Sequence, residues 1–418
     1  MEKWNGLLGI FVVLCVAVLF SKNRRAIRWK PIFLGLALQA GFAIAILGIP
    51  SLQIPGVLRF IFDFLNLFVT SLVDFTNAGT KFLFGPLAEI KEPWGFVFAF
   101  RALPTIVFFS AIMSGLYYLG VLQKVVKFFA WMMQKTMKTS GAETLSASAN
   151  IFIGQTEAPL LVKPFIPKMT SSEIYCVMVG GMATIAAGVE GAYVGLLKNR
   201  MPDIAGHLLT ASVMGAIGGL IISKIIFPET EKPLTAGNIE VPQDEKIDVN
   251  VIEAVSRGAS EGISLALNVG AMLVVFISLI AIFDALIGHV GQWLNYSDPL
   301  TFAGLMGQVA RPMAWLLGIS WEESAQIGRL LGEKIVLNEF VAYVNLSQLG
   351  EQISDRSLLI ASYALCGFAN ISSIGIQIGG IGALAGHKKS TIAKLGLLAV
   401  LGGNLACFLS ACIAGLLY

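Results

Sequence analysis

Charge is scarce in this chain. Only 13% of its 418 residues are charged and the formal net charge is +3, so no global positive field argues for a nucleic-acid partner. Histidine is rarer still, with three in all, and the five cysteines (Cys15, Cys176, Cys366, Cys407, Cys412) are scattered through apolar segments without CxxC spacing. That pattern excludes a metal-ligating cluster and a disulfide framework, and the cysteines read as small hydrophobes. No HExxH or Walker A sequence occurs. Neither a hydrolytic centre nor an ATP site is evident, so the chain is not expected to be an enzyme and no organic cofactor is implied.

Apolar residues are abundant instead. They make up 56% of the chain, and the mean hydropathy of +0.77 exceeds what a water-soluble domain of this length keeps in solution. The expectation is an all-α integral membrane protein. A spanning helix needs roughly 20 mostly apolar residues. Runs of that kind fall at about 4–21, 31–50, 95–119, 172–197, 206–227, 262–289, 357–385 and 392–417, which predicts eight transmembrane helices. The first run lacks an A-x-A cleavage site and is followed at once by SKNRRAIRWK, so it reads as a membrane helix and not as a signal peptide. Basic residues in the loops after runs one and three and before the last run share one face (Lys22, Arg24, Arg25, Arg28, Lys30; Lys124, Lys127, Lys135, Lys138; Lys388, Lys389, Lys394). By the positive-inside rule that face is cytoplasmic, with both termini on the periplasmic side of a bacterial inner membrane.

Segments too polar or too short to span lie between the runs. Residues 50–84 and 122–138 place apolar and charged residues on opposite helical faces and are expected as interfacial amphipathic helices. PETEKPLTAGNIEVPQDEKID, Pro228 to Asp248, is rich in Pro and charge and reads as a mobile cytoplasmic linker. On this basis residues 1–94 form an N-terminal scaffold, 95–227 a first repeat, 228–256 the linker and 257–418 a second repeat. Each repeat would run from a spanning helix through an amphipathic helix and a polar Glu-bearing segment to two more spans. An odd number of spans separates the two polar segments, so they enter from opposite faces. Inverted repeats with interrupted segments at matching places point to a secondary transporter with a midplane site.

The first polar segment, about 141–169, holds Pro159, Pro164 and Pro167 and reads as a re-entrant hairpin with Ile153-Gly154-Gln155-Thr156-Glu157 at its tip. Irregular backbone at membrane depth is tolerated only against protein, water or ligand. The second, about 321–346, gathers Arg329, Glu333, Lys334, Asn338 and Glu339. Internal ion pairing and a functional role remain open for Arg329, Glu333 and Lys334, whereas Asn338 and Glu339 offer an amide and a carboxylate suited to sugar hydroxyls. Two stretches inside spanning runs, Gly180 to Glu190 and Cys366 to Ser373, mix Gly with polar residues. Close helix packing explains their Gly and Ala. Asn370 and Ser373, three apart beside Phe368, read as part of a site. Asp63, Arg101 and Asp284 read as interfacial or structural charges.

GQTEAP at Gly154 to Pro159, the run Gly332-x-Lys334-x-x-x-Asn338-Glu339-Phe340-Val341-Ala342-Tyr343, and ALCGFANISS at Ala364 to Ser373 resemble the signatures of the concentrative nucleoside transporters, from the first helix to the last. The resemblance implies a homotrimeric, sodium-driven nucleoside symporter (uridine, cytidine or adenosine type) whose transport domain moves as an elevator. It implies that Gln155, Thr156, Glu157 and Val189 face the nucleobase. Glu339 with Asn338, Asn370 and Ser373 would hold the ribose, with Phe368 against the ring. Sodium, the coupling ion, would sit at Asn150, Ile153, Thr184 and Ile185, the two isoleucines giving only carbonyls. Proton coupling through Glu157 and Glu339 is the alternative within the fold, and a channel for a small polar solute is the alternative outside it.

Overall fold

The computed structural model describes residues 2–49, 52–88, 97–237, 248–293 and 300–418, and among these it is helical throughout apart from two isolated β-bridges. In chain order the helices are α1 (Glu2–Leu19), α2 (Trp29–Leu47), α3 (Arg59–Phe84), α4 (Phe98–Tyr118), α5 (Val121–Met137), α6 (Gly141–Ala149), α7 (Ser171–Met182) and α8 (Ala187–Leu197). They continue with α9 (Ile204–Ile226), α10 (Val251–Trp293), α11 (Phe302–Leu316), α12 (Ser324–Val336), α13 (Glu339–Leu349), α14 (Asp355–Leu365), α15 (Ile371–Leu384) and α16 (Lys389–Leu417). Among the described residues seven helical stretches are long and apolar enough to cross a membrane.

The order of elements repeats. A long helix, an amphipathic helix, a hairpin, a broken helix and a long helix run first through α4 to α9 and again through α10 to α16. The packing is reciprocal: α4 lies on α10, α9 on α16, α7 on α16 and α14 on α9. Helices α7 and α9 and the C-terminal half of α16 are almost wholly buried, while α10 turns Leu267, Val274, Ile282, Leu286 and Val290 outward. An apolar exposed face of this kind suits lipid or a neighbouring copy.

Three features differ from the sequence reading. The segment expected as an interfacial helix over 50–84 becomes one continuous helix from Arg59, and α3 with its short extension to Ala88 is among the stretches long enough to span. Its polar stripe meets protein and not only water: Asp74 pairs with Lys198, and Asn66 holds the N–H of Gly206 and donates to the Pro202 carbonyl. The return limb of the first hairpin is not a half-helix. Pro159, Pro164 and Pro167 remove N–H donors, and residues 158–162 and 166–168 form single 3-10 turns instead.

The start of the linker is also structured. The Thr235 carbonyl and hydroxyl accept the Gly141 and Ala142 N–H groups at 3.0 and 3.1 Å, and Glu229 accepts the Thr170 hydroxyl at 2.7 Å. This strap therefore closes over the exposed N-termini of α6 and α7, which already carry capping boxes, Ser140 with Glu143 and Thr170 with Glu173. Lys224 ties them together by pairing with Glu143 and donating to Ser172 at 2.9 Å. The rest of the linker, 238–247, lies outside the described residues, and α10 begins at Val251, inside the range read from sequence as linker.

Candidate functional site

Two spanning runs break where they cross. Between α7 and α8 the chain leaves helical geometry at Ala183–Ala186, and between α14 and α15 at Cys366–Asn370. A break frees carbonyls that membrane interiors cannot leave unpaired. Here the Phe368 N–H donates to the Thr184 carbonyl at 3.2 Å, so one break satisfies the other. The remaining donors come from α16: Asn404 gives its amide to the Ala369 carbonyl at 2.8 Å, and the Cys407 thiol reaches the Cys366 carbonyl at 3.2 Å and that of Ala183 at 3.8 Å. Gly367 is required by this approach, since a Cβ there would stand 2.6 Å from the Cys407 sulfur and 2.7 Å from the Met182 carbonyl.

The tip of the first hairpin meets this crossing. The Ala187 N–H, at the start of α8, donates to the Phe152 carbonyl at 3.2 Å. Asn150, the C-cap of α6, is buried; its amide nitrogen donates to the Ser146 carbonyl at 3.0 Å, while its Oδ1 has no hydrogen-bond partner. The Thr184 hydroxyl donates to the Gly180 carbonyl at 3.1 Å, which leaves its lone pairs free to accept. Ile153 stands in the turn after α6, its N–H still bonded to the Ala149 carbonyl at 3.0 Å, and Ile185 stands in the α7–α8 break. An unpartnered buried amide oxygen, a hydroxyl and non-helical carbonyls are the oxygen types that suit a hard monovalent cation.

Gln155 reaches from the tip across to the second half. It donates to Ser373 Oγ at 3.2 Å and accepts from Gln377 at 3.0 Å, and Gln377 also donates to the Met178 carbonyl at 2.9 Å. Thr156 and Glu157 bond to each other at 2.8 Å, and Glu157 is exposed. Val189 is buried in the first turn of α8.

The second hairpin closes from the other side. Its two helices meet at Leu337 and Asn338, and Asn338 caps α13 by accepting the Val341 N–H at 2.9 Å. Asn370 caps α15 in the same way, accepting from the Ser373 N–H at 2.8 Å. In both residues the amide oxygen caps a helix, which leaves the NH₂ the freer group. Asn370 donates to Glu339 Oε2 at 2.9 Å, and Tyr193 donates to Glu339 Oε1 at 3.0 Å. Glu339 sits in the first turn of α13, where the helix dipole favours a carboxylate. Phe368 is half-buried beside them. The cluster of Arg329, Glu333 and Lys334 resolves into structural pairs: Glu333 takes Arg329 and Asn345, both at 2.8 Å, and Lys334 donates to the Ala364 carbonyl at 2.9 Å. Asp284 likewise holds the Phe302 N–H at 2.7 Å.

Tyr193 and Gln377 escaped the sequence reading. The signal was spacing: Tyr193 stands one helical turn after Val189, and Gln377 one turn after Ser373.

Similarity to known proteins is extensive. Three family models match: "Na+ dependent nucleoside transporter N-terminus" over residues 8–87, "Nucleoside recognition" over 99–200 and "Na+ dependent nucleoside transporter C-terminus" over 207–415. An uncharacterised transporter of Haemophilus influenzae is 43% identical over 100% of this chain and 98% of its own length. Sodium/nucleoside cotransporter 1 of Rattus norvegicus is 39% identical over 100% of this chain and 64% of its own. Solute carrier family 28 member 3 of Homo sapiens is 38% identical over 98% of this chain, which spans 59% of that protein. Among solved structures, CNTnw in an inward-facing substrate-bound state superposes with a TM-score of 0.90 at 39% identity, covering 100% of this chain and 98% of the other. Outward-facing and intermediate states of CNTnw match comparably, with TM-scores of 0.90 and 0.91.

Proposed function

Because the chain belongs to the concentrative nucleoside transporter family, and is a membrane transporter and not an enzyme, we propose that it imports nucleosides on the sodium gradient by alternating access. The observation that carries the sodium part is the buried, unpartnered Oδ1 of Asn150 beside the α7–α8 break. Asn150 and Thr184 would hold the ion with side-chain oxygens, and Ile153 and Ile185 with carbonyls.

The solute sits, in this reading, where Gln155, Ser373, Asn370 and Glu339 now satisfy one another. A nucleoside replaces those internal bonds with its own, so binding leaves no buried polar group unpaired. Gln155, Thr156 and Glu157 meet the base edge and Val189 its apolar surface. Glu339 accepts from the ribose hydroxyls, Asn370 and Asn338 donate amide hydrogens, Ser373 completes the set, and Phe368 lies against the ring. The Phe368–Thr184 bond and the Gln155–Ser373 bond join the ion and solute parts, so sodium that orders the tip also orders half of the solute site.

The moving body comprises the hairpins and broken helices, sliding as an elevator against a scaffold that includes α4 and α10, while the second hairpin, α12 and α13, also swings as a gate over the solute, and the outward apolar face of α10 meets neighbours in a homotrimer. The membrane is the bacterial plasma membrane, with both termini periplasmic. Uptake of radiolabelled uridine into proteoliposomes with and without an inward sodium gradient tests the proposal. Accumulation that depends on the gradient is expected; equal uptake in both would refute it.

A further inference from the structure

Glu190 is buried to 2% exposure in the first turn of α8, and neither carboxylate oxygen has a hydrogen-bond partner. An ionised carboxylate in that position would lack both solvent and a counter-charge, a cost far beyond what a helix terminus offsets. Three strong donors of the neighbouring helices are engaged elsewhere. Tyr193 gives its hydroxyl to Glu339, Tyr343 to the Ser362 carbonyl at 2.6 Å, and Lys334 its ammonium to the Ala364 carbonyl.

The titratable groups facing it can be named element by element. On α13 they are Tyr343, which lies within electrostatic reach, and Glu339; in the α14–α15 break it is Cys366, also within reach. Helix α4 meets this turn of α8 with Ile106, Phe109 and Ser110, none of which titrates. On α3 Asp74 is paired with Lys198 at the far end of α8, and on α9 His207 is held by Asp203 and Tyr363. Arg101 of α4 lies further along α8, beside Ala192 and Gly195, and among the described residues no hydrogen bond reaches either Glu190 oxygen.

We propose that Glu190 is a proton-binding site of the transport cycle, neutral while α13 covers it and ionised when α13 withdraws. Helix α13 packs on α8 through Phe340 and Tyr343 against Tyr193, so the element that brings Glu339 to the solute also seals Glu190. Closure then forms one O–H bond on the Glu190 carboxylate with a proton from water, and opening releases it. Lower pH therefore favours the closed form. This goes beyond sodium coupling and rests on the transport reading only in its uptake arm.

Two measurements on the full-length protein in lipid decide it. Infrared difference spectra with sodium and uridine should show the carbonyl band of a protonated carboxyl group, lost in Glu190→Gln and in Glu190→Leu. Sodium-driven uridine uptake should depend on pH in the wild type and lose that dependence in both variants, with monodisperse elution checking that they fold. An unchanged infrared band, or variants that keep the wild-type pH dependence, would overturn the proposal. If the wild type takes up no nucleoside, the transport reading fails and the infrared arm alone decides the fate of Glu190.

Discussion

Tyr193→Phe removes one oxygen and leaves the ring where it is, stacked on Tyr343 with centroids 4.1 Å apart and edge-on to Phe340 at 5.2 Å. Packing is preserved, and the change isolates the 3.0 Å bond to Glu339. Glu339 is 4% exposed and has two side-chain donors, Tyr193 and Asn370. A hydrogen bond to a charged group contributes about 1.5–3 kcal/mol. If Tyr193 holds the carboxylate in the direction the ribose requires, that loss appears in binding, and nucleoside Kd rises roughly ten- to a hundredfold. Tyr343→Phe is the matched control, because its hydroxyl serves the Ser362 carbonyl and not the carboxylate. Isothermal titration of uridine into purified protein at saturating sodium measures both. A Kd for Tyr193→Phe within about twofold of wild type, or an equal loss in the control, would refute the assignment, since either puts the bond's contribution well below 1.5 kcal/mol.

Further outcomes follow from the same geometry. Glu157→Gln and Glu339→Gln should each impair uptake strongly while leaving expression and trimer formation intact, as read by transport assay and size-exclusion chromatography. Asn150→Ala should shift the sodium activation curve to higher concentration by removing one ligand oxygen, with uridine affinity recovering at high sodium. Lys224→Ala strands Glu143, whose side chain is 1% exposed, and breaking a buried pair costs about 3–5 kcal/mol; a large drop in Tm without any change in substrate selectivity is expected. His207, bonded to Asp203 at 3.3 Å, holds the Asp203 carboxyl below the usual carboxylate range. A depressed carboxyl contributes stability that is complete above about pH 4 and lost as pH falls through its folded value; a thermal-shift series at decreasing pH should show this loss, and Asp203→Asn should remove it.

The membrane architecture was legible because spanning length and composition are properties of single segments: α2, α4, α9, α10 and α16 all fall on apolar runs. The breaks were not legible as breaks. Ala183 to Ala186 holds Thr184 as its one polar residue and no Pro or Gly to mark a break, and the partners that meet the opened helix lie far away in sequence, at Phe368 and Cys407. For α3 the pattern gave a polar stripe but not what it meets, and the ion pair of Asp74 with Lys198 lies beyond any local signal. In the site, Gln155, Glu339, Asn370 and Ser373 stood out as polar residues in apolar company and came together. Tyr193 did not, because a tyrosine among Ala, Val and Gly is ordinary core by composition. Glu190 was visible at the end of its glycine-bearing stretch, but the packing account covered only the Gly and Ala there; its lack of a partner is a tertiary fact.

Each half of the chain completes the other's open helix. The carbonyl of Ala183, in the first half, is met by Cys407 of α16, while Cys366, in the second, places its thiol 3.8 Å from the Leu208 carbonyl and from Ser212 of α9. A lone first half would carry its break into lipid without the Phe368 and Cys407 donors that meet it. If the present chain arose by duplication, its half-length ancestor could have been stable only as an antiparallel pair in the bilayer. Fusion would then have recorded an existing partnership, and it freed the two breaks to diverge, one toward an ion and the other toward a solute.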